Sequence, residues 1–251
     1  VEGIQYDRES AVVMRGRFCE KPPRNALVNR IGTWHKPWFY THVDKIGQKG
    51  EEVTEYIPLR DYYHRHSKSI FWELAEIIPF GNNVLFRWLL GWACPPKISL
   101  LKWTTPGPLR RLYDRHHVLQ DMLVPLSTLP QALDCFDQEV EIYPVWLCPF
   151  NLPTRPGMVR QRAGTNVLYV DIGAYGVTEK EGYEPQRSTR ALEAFVRGVG
   201  GVQMLYADTY MTNAEFWQMF DNALYNWLRV KVNAKDAFPD VYEKIRRSAR
   251  Y

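Results

Sequence analysis

The sequence predicts an α+β protein in which an antiparallel or mixed sheet carries helices on one face. Two successive β-α-β patterns in the second half and a strongly amphipathic final helix support this fold class. The length of 251 residues and the charged fraction of 24% are those of an ordinary globular chain. The aromatic content is high, with nine Trp, 15 Tyr and 11 Phe, so many rings must find a place in the core or in a binding site.

The first β-α-β pattern spans residues 118–147. A strand is predicted over Val118–Leu126, and Thr128 with Gln131 has the spacing of a capping box at the start of a helix. The apolar residues of this helix recur on one face: Leu129, Ala132, Leu133 and Phe136. A second strand is predicted over Glu139–Leu147, where Pro144 indicates an edge or a bulge.

The second β-α-β pattern spans residues 166–210. It begins with a strand over Asn166–Ile172, and Ser188 is predicted to open the helix. The helical face consists of Leu192, Phe195, Val196 and Val199. The pair Gly200 and Gly201 ends the helix, and a strand is predicted over Val202–Tyr210.

The final helix begins at a second capping box, formed by Thr212 and Glu215. Helical spacing predicts that its apolar stripe packs in the core. The stripe comprises Phe216, Met219, Phe220, Ala223, Leu224, Trp227 and Leu228.

The first half of the chain is less regular. Strands are predicted over Tyr56–Tyr62 and Lys97–Trp103. The apolar segment Val84–Cys94 is shorter than the ~20 residues of a membrane span, so it is either buried core or an interfacial segment that contacts a membrane or lines a lipid pocket. No shift in composition marks a boundary, which favours a single domain.

Several function classes receive no support. A net charge of +4, evenly spread, does not indicate a nucleic-acid partner. The segments GAYG at 173–176 and GVGG at 198–201 lack the spacing of a phosphate-binding loop, and no G-x-S-x-G or H-E-x-x-H motif occurs. The four cysteines have no zinc spacing and are interpreted as reduced thiols.

The segment Tyr62-Tyr63-His64-Arg65-His66 concentrates rings and cations. On a strand His64 and His66 would share a face, but no third ligand at a suitable spacing supports a metal site. Two interpretations remain open: hydrogen-bonded structural histidines, or a role in acid chemistry or cofactor contact.

Long strings of the sequence resemble the delta-24 sterol reductase family, also called the Diminuto/Dwarf1 family. The resemblance begins with EYIPLRDYYHRHSKSIFWEL and IIPFGNNVLFRWLLGWACPPKISLLK in the first half. It continues in order through KPWFYTHV, HHVLQDMLVPL, YPVWLCPFNLP, DIGAYG, QMLYADTYM, EFWQMFD and DAFPDVYEKI. These strings are distributed over nearly the whole chain, and their aromatic richness makes them specific.

The resemblance implies an FAD-dependent enzyme that reduces the side-chain double bond of sterols, with NADPH as electron source, at the endoplasmic reticulum or the Golgi. It implies the substrate domain of a vanillyl-alcohol-oxidase-type fold over residues 1–251, with 1–25 leading out of an FAD-binding domain that precedes it. The chain alone is therefore expected to be inactive. Membrane association is expected through a preceding segment, with residues 80–92 as a further candidate contact.

Alkene reduction requires a proton donor, tolerance of positive charge and an apolar channel. The candidate donors are His64, Tyr63, His66 and Tyr206. Tyr62 and Arg65 are the candidate cofactor contacts, with Arg65 free to pair with a carboxylate or an FAD phosphate. The candidate sterol contacts are aromatic: Trp72, Phe80, Phe86, Trp88 and Trp92. A non-catalytic sterol- or lipid-binding module is the alternative.

Overall fold

The computed structural model describes residues 1–95, 115–152, 154–155, 157–159, 164 and 167–249, and they form two compact units. Unit 1 comprises residues 1–115 together with 175–177, and unit 2 comprises residues 116–174 and 178–251. The α+β class is confirmed, with six strands among the described residues.

Unit 1 combines one hairpin with short helices. Strand β1 (Glu2–Gln5) pairs antiparallel with β2 (Ala11–Met14), with Glu2 opposite Met14. The helices of this unit are α1 (Phe39–Gly47), α2 (Leu59–Tyr63), α3 (Glu73–Ile77) and α4 (Val84–Leu90), and a 3-10 turn, Gly91–Ala93, follows α4.

Unit 2 contains a sheet and the longer helices. Its strands are β3 (His117–Pro125), β4 (Val145–Asn151), β5 (Leu168–Val177) and β6 (Val202–Gln203), in the order β4-β5-β3-β6, and the last three residues of β5 belong to unit 1. The pairs β4–β5 and β3–β6 are antiparallel. The helices are α5 (Leu129–Glu139), α6 (Pro185–Gly198), α7 (Asn213–Met219), α8 (Ala223–Lys231) and α9 (Val241–Ile245), with 3-10 turns at Leu126–Thr128 and Arg247–Ala249.

The order β-α-β is confirmed twice in unit 2, but two predicted strands are too long. The segment Glu139–Leu147 becomes strand only at Val145, because α5 continues to Glu139 and Glu141 then adopts a left-handed backbone with φ 48°. The segment Val202–Tyr210 is strand only over its first two residues, because the chain then turns and the Ala207 N–H donates to the Met204 carbonyl at 3.3 Å.

Helix starts were harder to predict than helix faces. Helix α6 begins at Pro185, a residue suited to a first turn, and Ser188 is buried inside the helix. Thr128 precedes α5 but donates its hydroxyl to the Pro125 carbonyl, so the predicted capping box is wrong.

The capping box of Thr212 and Glu215 is confirmed, with both reciprocal hydrogen bonds present. The single predicted helix is wrong, because α7 ends at Met219 and α8 begins at Ala223. The first part of the stripe is buried core, whereas Trp227 and Leu228 are exposed on α8.

Two predictions for the first half are wrong. Residues 56–62 contain an isolated bridge at Tyr56 and then helix α2, which Pro58 precedes, instead of a strand. Val84–Cys94 is not buried core, since most of its large apolar side chains are exposed. The predicted strand Lys97–Trp103 lies outside the described residues. None of the helices that the structure describes has the length and hydropathy of a membrane span.

Candidate functional site

A buried cluster of charged and aromatic side chains lies at the centre of unit 1. Glu2 on β1 is directed at the segment that follows α2. Its Oε2 accepts hydrogen bonds from Nε and Nη2 of Arg65 at 2.9 and 2.8 Å, and its Oε1 lies 2.7 Å from Nε2 of His66. Because an ionised carboxylate only accepts, His66 carries a proton on Nε2.

Aromatic rings enclose this ion pair. The His66 ring stacks on Phe71 at 4.4 Å between centroids and meets the edge of Phe39 at 5.2 Å. The Arg65 guanidinium lies 4.1 Å from the centre of the Tyr62 ring, and its Nη1 donates to the Tyr62 carbonyl. Burial lowers the pKa of His66, and this effect outweighs the opposing effect of Glu2. His66 is therefore a neutral donor to Glu2, a poor choice for an acid.

The backbone beside this cluster is strained. Ile70 and Phe71 are consecutive non-glycine residues with φ 48° and 58°, in the left-handed region that costs ~1–3 kcal/mol per residue. The strain is held by packing, since Phe71 lies 4.9 Å from the Tyr175 ring and the Trp72 indole N–H donates to the Tyr175 carbonyl at 2.7 Å. The sequence carries no signal for this conformation.

The predicted site residues do not all come together. Tyr62, Arg65 and His66 belong to the cluster around Glu2, whereas Tyr63 and His64 are exposed at the end of α2. Because this segment is helix and turn, the strand on which His64 and His66 would share a face is wrong. Tyr206 is an exposed residue of unit 2.

The predicted sterol contacts also separate within unit 1. Trp72 is buried, while Phe80, Trp88 and Trp92 are exposed and Phe86 packs against Phe80 at 5.4 Å. In the part of the chain that the structure describes, no group of three or more metal-ligating side chains is assembled.

Unit 2 contains a carboxyl pair that sequence reasoning missed. Asp121 on β3 and Asp171 on the neighbouring strand β5 are both almost fully buried. The negative charge of Asp121 acts on Asp171, and like charges in a buried pair disfavour ionisation of both carboxyl groups. Burial and the negative charge of Asp121 raise the pKa of Asp171 to about 8. The pair thus holds a carboxylic acid that keeps its proton near neutral pH.

A signal for this pair does exist in the sequence. Asp121 and Asp171 place a carboxyl group within the mainly apolar strands LQDMLV and YVDIG. By contrast, the buried carboxylate of Glu193 has a structural role. Its Oε1 accepts hydrogen bonds from the Thr209 hydroxyl at 2.9 Å and from the Tyr210 N–H at 2.8 Å.

The raised pKa of Asp171 predicts a pH dependence of stability. An unfolded Asp loses its proton near 3.8, whereas Asp171 keeps it to about 8, so the folded state binds more protons between these values. The free energy of unfolding should therefore fall as pH rises from about 4 to about 8. Asp171→Asn should remove this decline and raise the melting temperature at pH 8, measured by thermal unfolding at several pH values.

The matched control is Asp134→Asn, which removes a carboxylate from the exposed side of α5. If Asp171→Asn and wild type have the same difference in melting temperature between pH 5 and pH 8, Asp171 is ionised in the folded protein and the assignment is wrong.

Comparison with known proteins identifies the family. The chain is 59% identical over 251 residues to the delta(24)-sterol reductase homolog dhcr-24 of Caenorhabditis elegans and 53% identical to the human delta(24)-sterol reductase. The Arabidopsis thaliana delta(24)-sterol reductase is 37% identical over 270 residues. Each alignment covers the whole of this chain and 48% of the relative.

The chain therefore spans about half the length of the curated relatives it matches, and it corresponds to their C-terminal part. No protein-family model and no solved structure matches it. With 53–59% identity to the animal relatives over its full length, the chain belongs to the delta(24)-sterol reductase family.

Proposed function

We propose that the full-length protein carrying this chain reduces the side-chain delta-24 double bond of sterol intermediates, as in the conversion of desmosterol to cholesterol. The observation that carries the proposal is the 53–59% identity, over the whole chain, to relatives named as delta(24)-sterol reductases. NADPH is the proposed electron source, and the membrane of the endoplasmic reticulum or the Golgi is the proposed location. A vanillyl-alcohol-oxidase-type fold is the proposed architecture of the full-length protein.

The reaction needs a proton for one alkene carbon and a hydride for the other. FAD, when bound, supplies the hydride to the carbon that develops positive charge. The remaining requirements fall on protein side chains: an acid that is protonated at neutral pH, and surroundings without water to compete for that proton.

The Asp121–Asp171 pair has the properties required of this acid. Both carboxyl groups are almost fully buried, and the raised pKa of Asp171 keeps that residue protonated near neutral pH. Once the proton has left, the pair carries two negative charges that repel each other, which favours return of a proton. His64, Tyr63 and Tyr206 are the alternative donors, and their exposed side chains lack this shielding from water.

The fit of this chain to FAD is limited. Arg65 is engaged by Glu2 and by the Tyr62 carbonyl, so the carboxylate is its partner and the role of phosphate ligand does not fit. The GAYG glycines lie in β5, and the GVGG glycines close α6. We therefore assign the FAD phosphates to the part of the protein outside this chain, and we derive no step from flavin contacts of Arg65 or Tyr62.

The spectrum of the purified full-length protein tests the proposal. A flavin absorption band is expected, NADPH should bleach it without air, and desmosterol should restore it while being reduced. A colourless protein that still binds sterol would overturn the proposal in favour of a non-catalytic sterol- or lipid-binding module. A flavoprotein that NADPH bleaches but desmosterol does not reoxidise would overturn the sterol assignment alone.

A further inference from the structure

Helix α4 and the 3-10 turn after it present an apolar face to solvent. Leu85, Trp88, Leu89 and Trp92 follow the spacing i, i+3, i+4, i+7, which places them on one side of a helix. Their exposed fractions are 72%, 57%, 70% and 70%. A stripe with this spacing normally packs against a core, so its exposure indicates a surface that binds something apolar.

Contacts within unit 1 fix the orientation of α4 and of the turn after it. One edge of the apolar face is itself anchored, since the Trp88 ring stacks on His35 at 4.5 Å with an angle of 10° and the edge of Trp34 meets it at 6.4 Å. Asn83 caps the helix by accepting from the Leu85 N–H. At Gly91 a Cβ would lie only 2.7 Å from the Trp34 carbonyl oxygen, so glycine permits the close approach of the turn.

Two cations lie behind the apolar face without a carboxylate at ion-pair distance among the described residues. The Nε and Nη1 atoms of Arg87 are buried and have no hydrogen-bond partner there. Among the described residues, the Lys68 ammonium donates to the carbonyls of Thr33 and Lys36, at 2.8 and 3.2 Å. Burial and then the charge of Arg87 lower the pKa of Lys68 to about 8, and the smaller opposing effect of Asp61 does not offset them.

We infer that the α4 apolar face (Leu85, Trp88, Leu89, Trp92) inserts into the interfacial layer of a bilayer that contains anionic phospholipids, with Arg87 and Lys68 close to the lipid phosphates. Apolar side chains favour the acyl region, and indole rings favour the boundary with the headgroups. Two cations without an ion pair among the described residues favour lipid phosphate over an apolar protein surface, because long basic side chains reach from apolar surroundings to headgroups.

This inference concerns binding and does not depend on which reaction the protein catalyses. The proposed membrane contact lies on α4, so it is distinct from membrane attachment by any other segment. The test therefore has to report specifically on Trp88 and Trp92, in the full-length protein.

Quenching of tryptophan fluorescence by brominated phosphatidylcholine provides that report. The full-length protein is placed in vesicles of brominated phosphatidylcholine with phosphatidylserine, and its emission is compared with vesicles lacking bromine. Wild type should be quenched, and Trp88→Phe/Trp92→Phe should lose that part of the quenching. Trp227→Phe is the matched control, because Trp227 on α8 has a similar exposure of 54%, and it should leave the quenching unchanged.

Equal quenching in wild type and in the double variant would overturn the inference. Shielding of Trp88 and Trp92 from acrylamide in the absence of vesicles would overturn it as well, because another part of the protein would then cover α4.

The charge is tested separately. Quenching of wild type at Trp88 and Trp92 should weaken with added salt and in purely zwitterionic vesicles, and Arg87→Gln should reproduce that weakening at low salt. Quenching that is independent of salt and lipid charge would overturn the role of Arg87 and Lys68, without relying on a variant that could misfold.

Discussion

Replacing Asp171 by asparagine in the full-length protein is expected to lower the turnover of sterol reduction by about 10²–10⁴-fold, the usual loss when a general acid is removed. Asparagine keeps the size of the side chain, and its amide can still donate to Asp121 across β3 and β5. It cannot release a proton. The measurement is turnover with NADPH and desmosterol, with flavin content and melting temperature recorded for each variant.

The pattern across variants identifies the donor. Asp121→Asn should also lower turnover, since it removes the neighbouring charge that keeps Asp171 protonated, and Asp134→Asn should leave turnover unchanged. His64→Ala is the competing variant, and the sequence interpretation predicts for it the same 10²–10⁴-fold loss. Normal turnover in Asp171→Asn together with a loss in His64→Ala would show that the carboxyl pair is structural.

Local periodicity explains why the fold of unit 2 was predictable. Short-range spacing determines which face of a helix is apolar, and two such faces are buried as expected. They are formed by Ala132 and Phe136 on α5 and by Leu192 and Val196 on α6. The ends of elements depend on distant partners, and there prediction failed. Thr128 donates to Pro125 instead of capping, and the Glu193 carboxylate binds the Tyr210 N–H in place of a sheet partner.

The candidate site was less predictable, because its parts are far apart in sequence. His66 was singled out as one of a local group, yet its geometry is set by Glu2, 64 residues away. No local pattern indicates that contact. The left-handed backbone of Ile70 and Phe71 likewise has no signature in residue type, since neither is a glycine or asparagine. Predicting the Asp121–Asp171 pair requires the knowledge that β3 and β5 are neighbours in the sheet. Only the strand order of the folded protein gives that information.

Removal of the Glu2 carboxylate should have the largest effect on stability. Glu2→Ala is expected to lower the free energy of unfolding by about 3–5 kcal/mol, because it leaves the mostly buried guanidinium of Arg65 without its ionic partner. The His66 Nε2–H also loses its acceptor. The loss is measured by urea denaturation of the full-length protein, followed through tryptophan fluorescence.

Glu52→Ala is the matched control, because Glu52 also pairs with an arginine in unit 1. The Arg15–Glu52 distance is 3.2 Å, but both side chains are almost fully exposed, so solvent screens the pair and a loss below ~1 kcal/mol is expected. The loss in free energy of unfolding for Glu2→Gln should lie between the losses for Glu2→Ala and Glu52→Ala, since glutamine keeps one acceptor oxygen but no charge. If Glu2→Ala is no more destabilised than Glu52→Ala, water or another carboxylate compensates Arg65.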